Sequence, residues 1–127
     1  MKITKKQKNL NKAKEVVKID AKGEILGRIS TQIATILIGK DNPKYVPNLV
    51  MGKKVHVINA SKIQFTGNKI NSKEYIHHTG YMGHLKVMPL KKLFAENPAD
   101  VIFRSVKGML PKNRLQTIML KNLTIEK

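Results

Sequence analysis

The segment LGRISTQIATILI, Leu26 to Ile38, stands between two short β-branched runs, VVKID before it and KVHVINA after it. Leu26, Ile29, Ile33, Ile36 and Leu37 recur at helical spacing, which predicts one apolar stripe over residues 26–38, and Gly39 supplies a C-terminal stop. The β-branched content of this helix lowers its intrinsic propensity, so packing against a sheet has to hold it. The flanking runs, Val16–Asp20 and Lys54–Ala60, are the strands of that sheet. In the second, Val55, Val57 and Ile58 predict burial on more than one face, as in a central parallel strand. Strand, helix and strand in this order make a βαβ unit.

The rest of the chain is punctuated by Gly and Pro. Residues 40–54 contain two Pro and a Gly and are expected to form an extended, basic connection. SKIQFTGNK alternates at Ile63 and Phe65 before a Gly-Asn turn, and KEYIHHT is a further strand, broken by Gly80 and Gly83. A short helix follows Pro89, and a longer one starts near Pro98, with Val101, Ile102, Ser105, Val106 and Met109 at helical spacing until Pro111 interrupts it. NRLQTIMLKNL is amphipathic, with Leu115, Ile118, Met119 and Asn122 on one side, and ends in a short apolar LTI. Before the first strand, residues 1–15 are rich in Lys and Asn without periodicity and are expected to form a basic arm; residues 16–127 are expected to form one domain.

Charge narrows the function. Lys and Arg number 25 against 8 Asp and Glu, for a net charge of +17 on 127 residues, which calls for a polyanionic partner. Nucleic acid is the commonest one, and no stretch approaches the roughly 20 apolar residues of a spanning helix, so a membrane partner is not expected. The absence of Cys removes disulfides, thiolate zinc sites and cysteine nucleophiles. The N-terminus lacks the apolar core of a secretory signal, so export is not expected.

Two constellations can carry chemistry. YIHHTGYMGHLK, Tyr75 to Lys86, holds three of the four histidines. His77 and His78 are adjacent on a strand and point to opposite faces, so they do not ligate one ion, and Thr79 has no evident carboxylate-oriented base; neither a metal nor a catalytic site is expected. Contact with RNA asks less, because His, Thr and Tyr can hydrogen-bond or stack and the glycines permit close approach, with Lys53, Lys54, Lys62, Lys69, Lys73 and Lys86 flanking the segment. A plain solvated loop with one buried Tyr is the alternative. The second constellation, RSVKGMLPKNRL, interleaves Arg104, Lys107, Lys112 and Arg114 with apolar residues, so one face can enter the core while the other meets phosphates. The helix after Pro111 is expected to add free N–H donors there. AKGEILGR links a strand to a helix but lacks the spacing of either nucleotide-binding glycine motif.

Taken in order, DAKGEILGR, KYVP, VINASKI, YIHHTGY and VKGMLPKN resemble the family of large-subunit ribosomal protein thirteen, of bacterial and organellar type, over about residues 16–125. The resemblance implies an α/β fold: a three-layer single domain with a small, mostly parallel sheet flanked by helices. It implies no enzyme and no cofactor, but a structural constituent of the large ribosomal subunit that binds ribosomal RNA early in assembly, beside neighbouring ribosomal proteins and without homo-oligomers. A bacterial chain would then sit on the cytoplasmic ribosome, and an organellar one on its own ribosome. Carried over by position, the RNA-facing residues are Arg28, Lys40, Lys62, Asn68, Lys69, His77, His78, Thr79, Tyr81, Lys107, Lys112 and Asn113; residue chemistry adds Lys53, Lys54, Lys86, Arg104 and Arg114. A free regulatory RNA binder that represses a message is the alternative function. The chain departs from the family's pattern at Val16, Val17, Val50, Lys53, Met82, His84 and Gln116.

Overall fold

A computed structural model of the chain describes residues 15–127. Apart from Glu15, the expected basic arm lies outside the described residues. Strand β1 (Val16–Asp20), helix α1 (Leu26–Ile38) and strand β2 (Lys54–Ile58) form the expected βαβ unit, and β5 (Leu123–Ile125) completes a three-stranded sheet of order β1-β2-β5. Both pairings are parallel, so β2 is central. The domain is of the α/β class.

The register explains the alternation. Val17, Val55 and Leu123 form one row across the sheet, and Ile19, Val57 and Ile125 the next, all on the same face. Val55 and Val57 are buried there against Ile29, Ile33 and Leu37 of α1. On the other face Lys18, Lys54 and Thr124 are exposed, while His56 and Ile58 are only partly covered. Burial of β2 is therefore one-sided, contrary to expectation, although its central position is as expected. The strand ends at Ile58 rather than Ala60 because Asn59 turns into the left-handed region, with φ 59°. Ala60–Lys62 then make a short 3-10 turn.

Helix α1 ends as the glycine predicts: Gly39 is left-handed, with φ 84°, and its N–H donates to the Thr35 carbonyl at 3.0 Å. The following residues run through successive turns rather than an extended connection, and they fold back on the helix end. There the Lys53 N–H donates to the Ile36 carbonyl at 3.3 Å, and Gly52 lies so close that a Cβ added to it would sit 1.9 Å from the Leu37 carbonyl oxygen.

After Phe65 the expected Gly67-Asn68 turn forms, with Gly67 at φ 62°, and an unexpected single helical turn, α2 (Lys69–Ser72), follows it. Strand β3 (Glu74–His78) pairs antiparallel with β4 (Leu85–Pro89), a strand without a counterpart in the sequence reading. Helix α3 (Leu90–Glu96) follows, and α4 (Pro98–Met109) begins with Pro98 at its start and Asp100 in its first turn, both favourable there. Ile102 and Val106 of α4 are fully buried in the main core, but Met109 is exposed and Leu110 takes its place. In α5 (Leu115–Leu120) Met119 is buried, whereas Ile118 is 44% exposed, so the inward side is that of Leu115, Met119 and Leu120. The apolar LTI end becomes β5 because the edge of β2 is open to pair with it. A smaller cluster of Leu90, Leu93 and Val101, with Phe65, Tyr75 and Phe94 packed on it, anchors the β3–β4 hairpin to the helices.

Replacing Gly52 by Ala should cost about 1–3 kcal/mol, since the new methyl group meets backbone that cannot move aside. Gly27, in the first turn of α1, has open space around it, and Gly27→Ala should gain roughly 0.5–1 kcal/mol. Urea unfolding of the two variants checks this; equal effects would contradict the close approach at Gly52.

Candidate nucleic-acid interface

Helix α4 carries its basic residues opposite its core stripe. With Ile102 and Val106 buried, Arg104 and Lys107 are exposed. The chain after Met109 is held rather than loose: the Gln116 side-chain amide donates to the carbonyls of Lys107 at 2.9 Å and Leu110 at 3.3 Å. Asn113 Oδ1 in turn accepts the Gln116 backbone N–H at 3.1 Å. This mutual capping satisfies carbonyls at the end of α4 and an amide at the start of α5. It also means that Asn113 is engaged within the fold, and the Gln116 N–H is not one of the free donors expected after Pro111. The result is an open groove of about 420 Å³ lined by Arg104, Lys107, Gly108, Lys112, Gln116 and, from the hairpin, Tyr75.

Tyr75 joins the two constellations that the sequence separates. Its ring centroid lies 5.3 Å from the Arg104 guanidinium carbon and 5.6 Å from the Lys73 ammonium. Arg104 is steadied from its other end, with Nε donating to Asp100 Oδ2 at 2.8 Å. Partial burial pushes the Tyr75 hydroxyl above its usual range, opposed by the nearby Arg104 charge, so it stays protonated and can donate a hydrogen bond. Tyr75 is not among the site residues that the sequence singles out, although it lies in the histidine-rich segment. The available signal was its strand parity with His77, which places both on one side of β3.

The hairpin itself projects with little cover. His77 pairs with Lys86 and His78 with Leu85 across the strands. His78 serves the turn as well: its Nδ1 accepts the Gly80 N–H at 3.0 Å. The His84 carbonyl accepts from the Thr79 N–H at 3.2 Å, and the His84 N–H donates to the Tyr81 carbonyl at 3.2 Å. Gly80 and Gly83 take φ of 92° and 72°, the left-handed values such a turn needs. Residue 84 closes the turn through its backbone, and Met82 at the tip is 98% exposed, so the turn makes little demand on either side chain. Among the described residues, no three His, Cys, Asp or Glu side chains gather where a metal ion could sit.

The other named residues are scattered. Lys69 sits beside a second cavity near Tyr75, with Nζ 3.2 Å from Thr66 Oγ1. Arg28 projects from the first turn of α1 and Arg114 from the start of α5. Asn68 is turned inward to its own helical turn, accepting from Asn71 Nδ2 at 2.9 Å. Lys40 follows α1, Lys54 lies on the outward face of β2 and Lys62 closes the 3-10 turn; none of the three lines either cavity. Lys53 is bound to Glu15 at 3.0 Å and Asp41 at 3.5 Å, pairing that raises its pKa and neutralises part of its charge locally.

The model of the family described as ribosomal protein L13 matches residues 14–126. The chain belongs to the ribosomal protein L13 family. It is 46% identical over 125 residues to the large ribosomal subunit protein uL13 of Geobacter sulfurreducens, covering 98% of this chain and 87% of that one. Identity to the protein of the same name from Thermoanaerobacter sp. is 51% over 107 residues, covering 84% and 75% of the two chains. For Thermus thermophilus it is 48% over 109 residues, covering 86% and 78%.

Two of the sequence blocks that carry the resemblance meet in the fold. Asp20, from DAKGEILGR, accepts the Lys22 backbone N–H and the Asn59 side-chain amide, both at 3.0 Å, and Asn59 comes from VINASKI. The contact holds the one non-glycine residue with positive φ among those described. Asp20 and Asn59 thus tie the ends of β1 and β2 together. Gln116 supplies the caps described above.

The two hydrogen bonds, the backbone one foremost, lower the Asp20 pKa below its ordinary 3.8. Its stabilising contribution is present above that value and lost as the pH falls through the lower folded one. Asp20→Asn should therefore flatten the acid limb of stability, read from unfolding midpoints between pH 6 and pH 2. Parallel acid limbs for the two proteins would refute the role given to Asp20.

Proposed function

We propose that this protein is a structural, non-catalytic constituent of the large ribosomal subunit, one that binds ribosomal RNA directly and acts early in subunit assembly. The observation that carries this reading is the convergence of Arg104, Lys107 and Lys112 with the hairpin's Tyr75 at one open groove, in a chain of the ribosomal protein L13 family. Its relatives are named as large ribosomal subunit proteins.

The mechanism is neutralisation and fit. The exposed cations of α4, of the α4–α5 junction and of the hairpin neutralise phosphates, while His77, His78, Thr79 and Tyr81 supply hydrogen bonds and ring surface for unpaired nucleotides. Arg28, Lys69, Lys86 and Arg114, and likewise Lys40, Lys54 and Lys62, add further contacts outside the groove. Lys53, Asn68 and Asn113 act chiefly through the fold that presents the others. The chain works as one domain, residues 16–127, preceded by a basic arm, residues 1–15, which adds charge toward the same polyanion. No helix among the described residues is long and apolar enough to cross a membrane. The site of action is the ribosome, in the bacterial cytoplasm if the source resembles the relatives, with neighbouring ribosomal proteins as the other partners and no homo-oligomer needed.

With about eight phosphates neutralised, log K for ribosomal RNA should fall against log salt with a slope of roughly −6 to −7. Removing both Lys107 and Lys112 as alanines should reduce that slope by about 2 and leave the thermal midpoint unchanged. Ile33→Ala is the contrasting case, a loss of about 2–5 kcal/mol of stability from the buried stripe. In sucrose gradients at moderate salt the protein should travel with large subunits and their precursors. A slope near zero, or absence from those fractions, contradicts the reading.

A further inference from the structure

A second, more enclosed cavity of about 220 Å³ lies at the root of the hairpin. Tyr75 lines both this cavity and the open groove; Lys73 contributes to the first and Arg104 to the second. The floor is apolar, with Leu90 buried and Phe65 half-buried. Phe65 is held edge-on by Phe94, with ring centroids 5.0 Å apart and planes at 90°. Two aromatic side chains, each fixed by its own neighbour, therefore stand ready in the same cavity. Lys69, Lys73 and Ser105 also line it, with the Lys73 ammonium over the Tyr75 ring.

Gly27 sharpens the case. It lines the cavity from the first turn of α1, yet neither packing nor a positive φ demands a glycine there, since a Cβ at that position would meet nothing within 4 Å. Glycine in a helix costs roughly 0.5–1 kcal/mol against alanine, so the bare wall keeps space at some expense of stability.

We propose that this cavity receives one unpaired nucleobase extruded from the bound RNA. Sites for drug-sized ligands span roughly 300–1,000 Å³, so a cavity of about 220 Å³ suits a single ring system rather than a larger ligand. Aromatic walls suit a planar heterocycle, the Ser105 hydroxyl can read its edge, and the two lysines meet the attached phosphate. Because Tyr75 is shared, a strand leaving the cavity enters the groove of Arg104, Lys107 and Lys112, where its next phosphates find their partners. The inference rests on the RNA-binding reading and adds to it a specific subsite.

The test uses the isotope-labelled full chain and records amide shifts on titration with the four nucleoside monophosphates, ribose 5-phosphate and inorganic phosphate. At least one nucleoside monophosphate should shift the amides of Gly27, Thr66, Lys69 and Ser105 saturably, and bind about tenfold or more tightly than ribose 5-phosphate, as a stacked base implies. Gly27→Leu should abolish that preference without lowering the thermal midpoint. Equal binding of ribose 5-phosphate, shifts confined to residues outside the cavity, or an unaffected Gly27→Leu variant would overturn the proposal. Binding of ribosomal RNA is measured on the same sample: RNA bound without any nucleotide shift removes the base pocket and leaves the RNA reading standing, whereas no RNA binding removes the reading beneath it.

Discussion

The burial of Ile29, Ile33 and Leu37 against Val55 and Val57 on one side and Ile102 and Val106 on the other is the contact on which the rest of the molecule depends. It gives a helix of modest intrinsic propensity its stability, and it fixes the rotation of α4 about its own axis. Once Ile102 and Val106 face inward, Arg104 and Lys107 have to face out, toward Tyr75 and the hairpin. Core and interface are two faces of one helix. The Gln116 caps then stop the chain from drifting after Leu110, so Lys112 stays beside the groove rather than swinging away.

The electrostatic side follows from the same arrangement. A chain of +17 carries self-repulsion that a free monomer does not relieve, and a polyanionic partner does. The fold spends little of that charge internally. Among the described residues, Lys53 is pinned by two carboxylates and Arg104 is steadied by Asp100, while Lys107 and Lys112 stay exposed at the groove. The Arg104 pair orients the guanidinium beside Tyr75.

Much of this was legible in the sequence, for identifiable reasons. The stripe of α1, the glycine stop at Gly39 and the proline starts of α3 and α4 are local signals that tertiary packing had no cause to override. The strand β5 was not legible as such, because three apolar residues become a strand only when an open edge accepts them. Ile118 and Met109 misled because helical spacing does not say where a short helix meets its neighbour. At the candidate interface, residue type singled out basic and histidine-rich segments, and the structure shows which of their side chains are engaged within the fold. Asn113 and Asn68 spend their side chains on the fold, and Tyr75, ordinary by composition, became central only when Arg104 and Lys73 were brought to its ring.

We propose that the hairpin and the α4–α5 junction form one RNA-facing surface. Photo-crosslinking amino acids placed singly at positions 86 and 112, followed by mapping of the joined nucleotides in cells, tests it directly. The account predicts that both positions crosslink to large-subunit ribosomal RNA, at nucleotides that lie together in the folded subunit. Crosslinks at only one of the two positions, at nucleotides far apart, or chiefly to messenger RNA would contradict it.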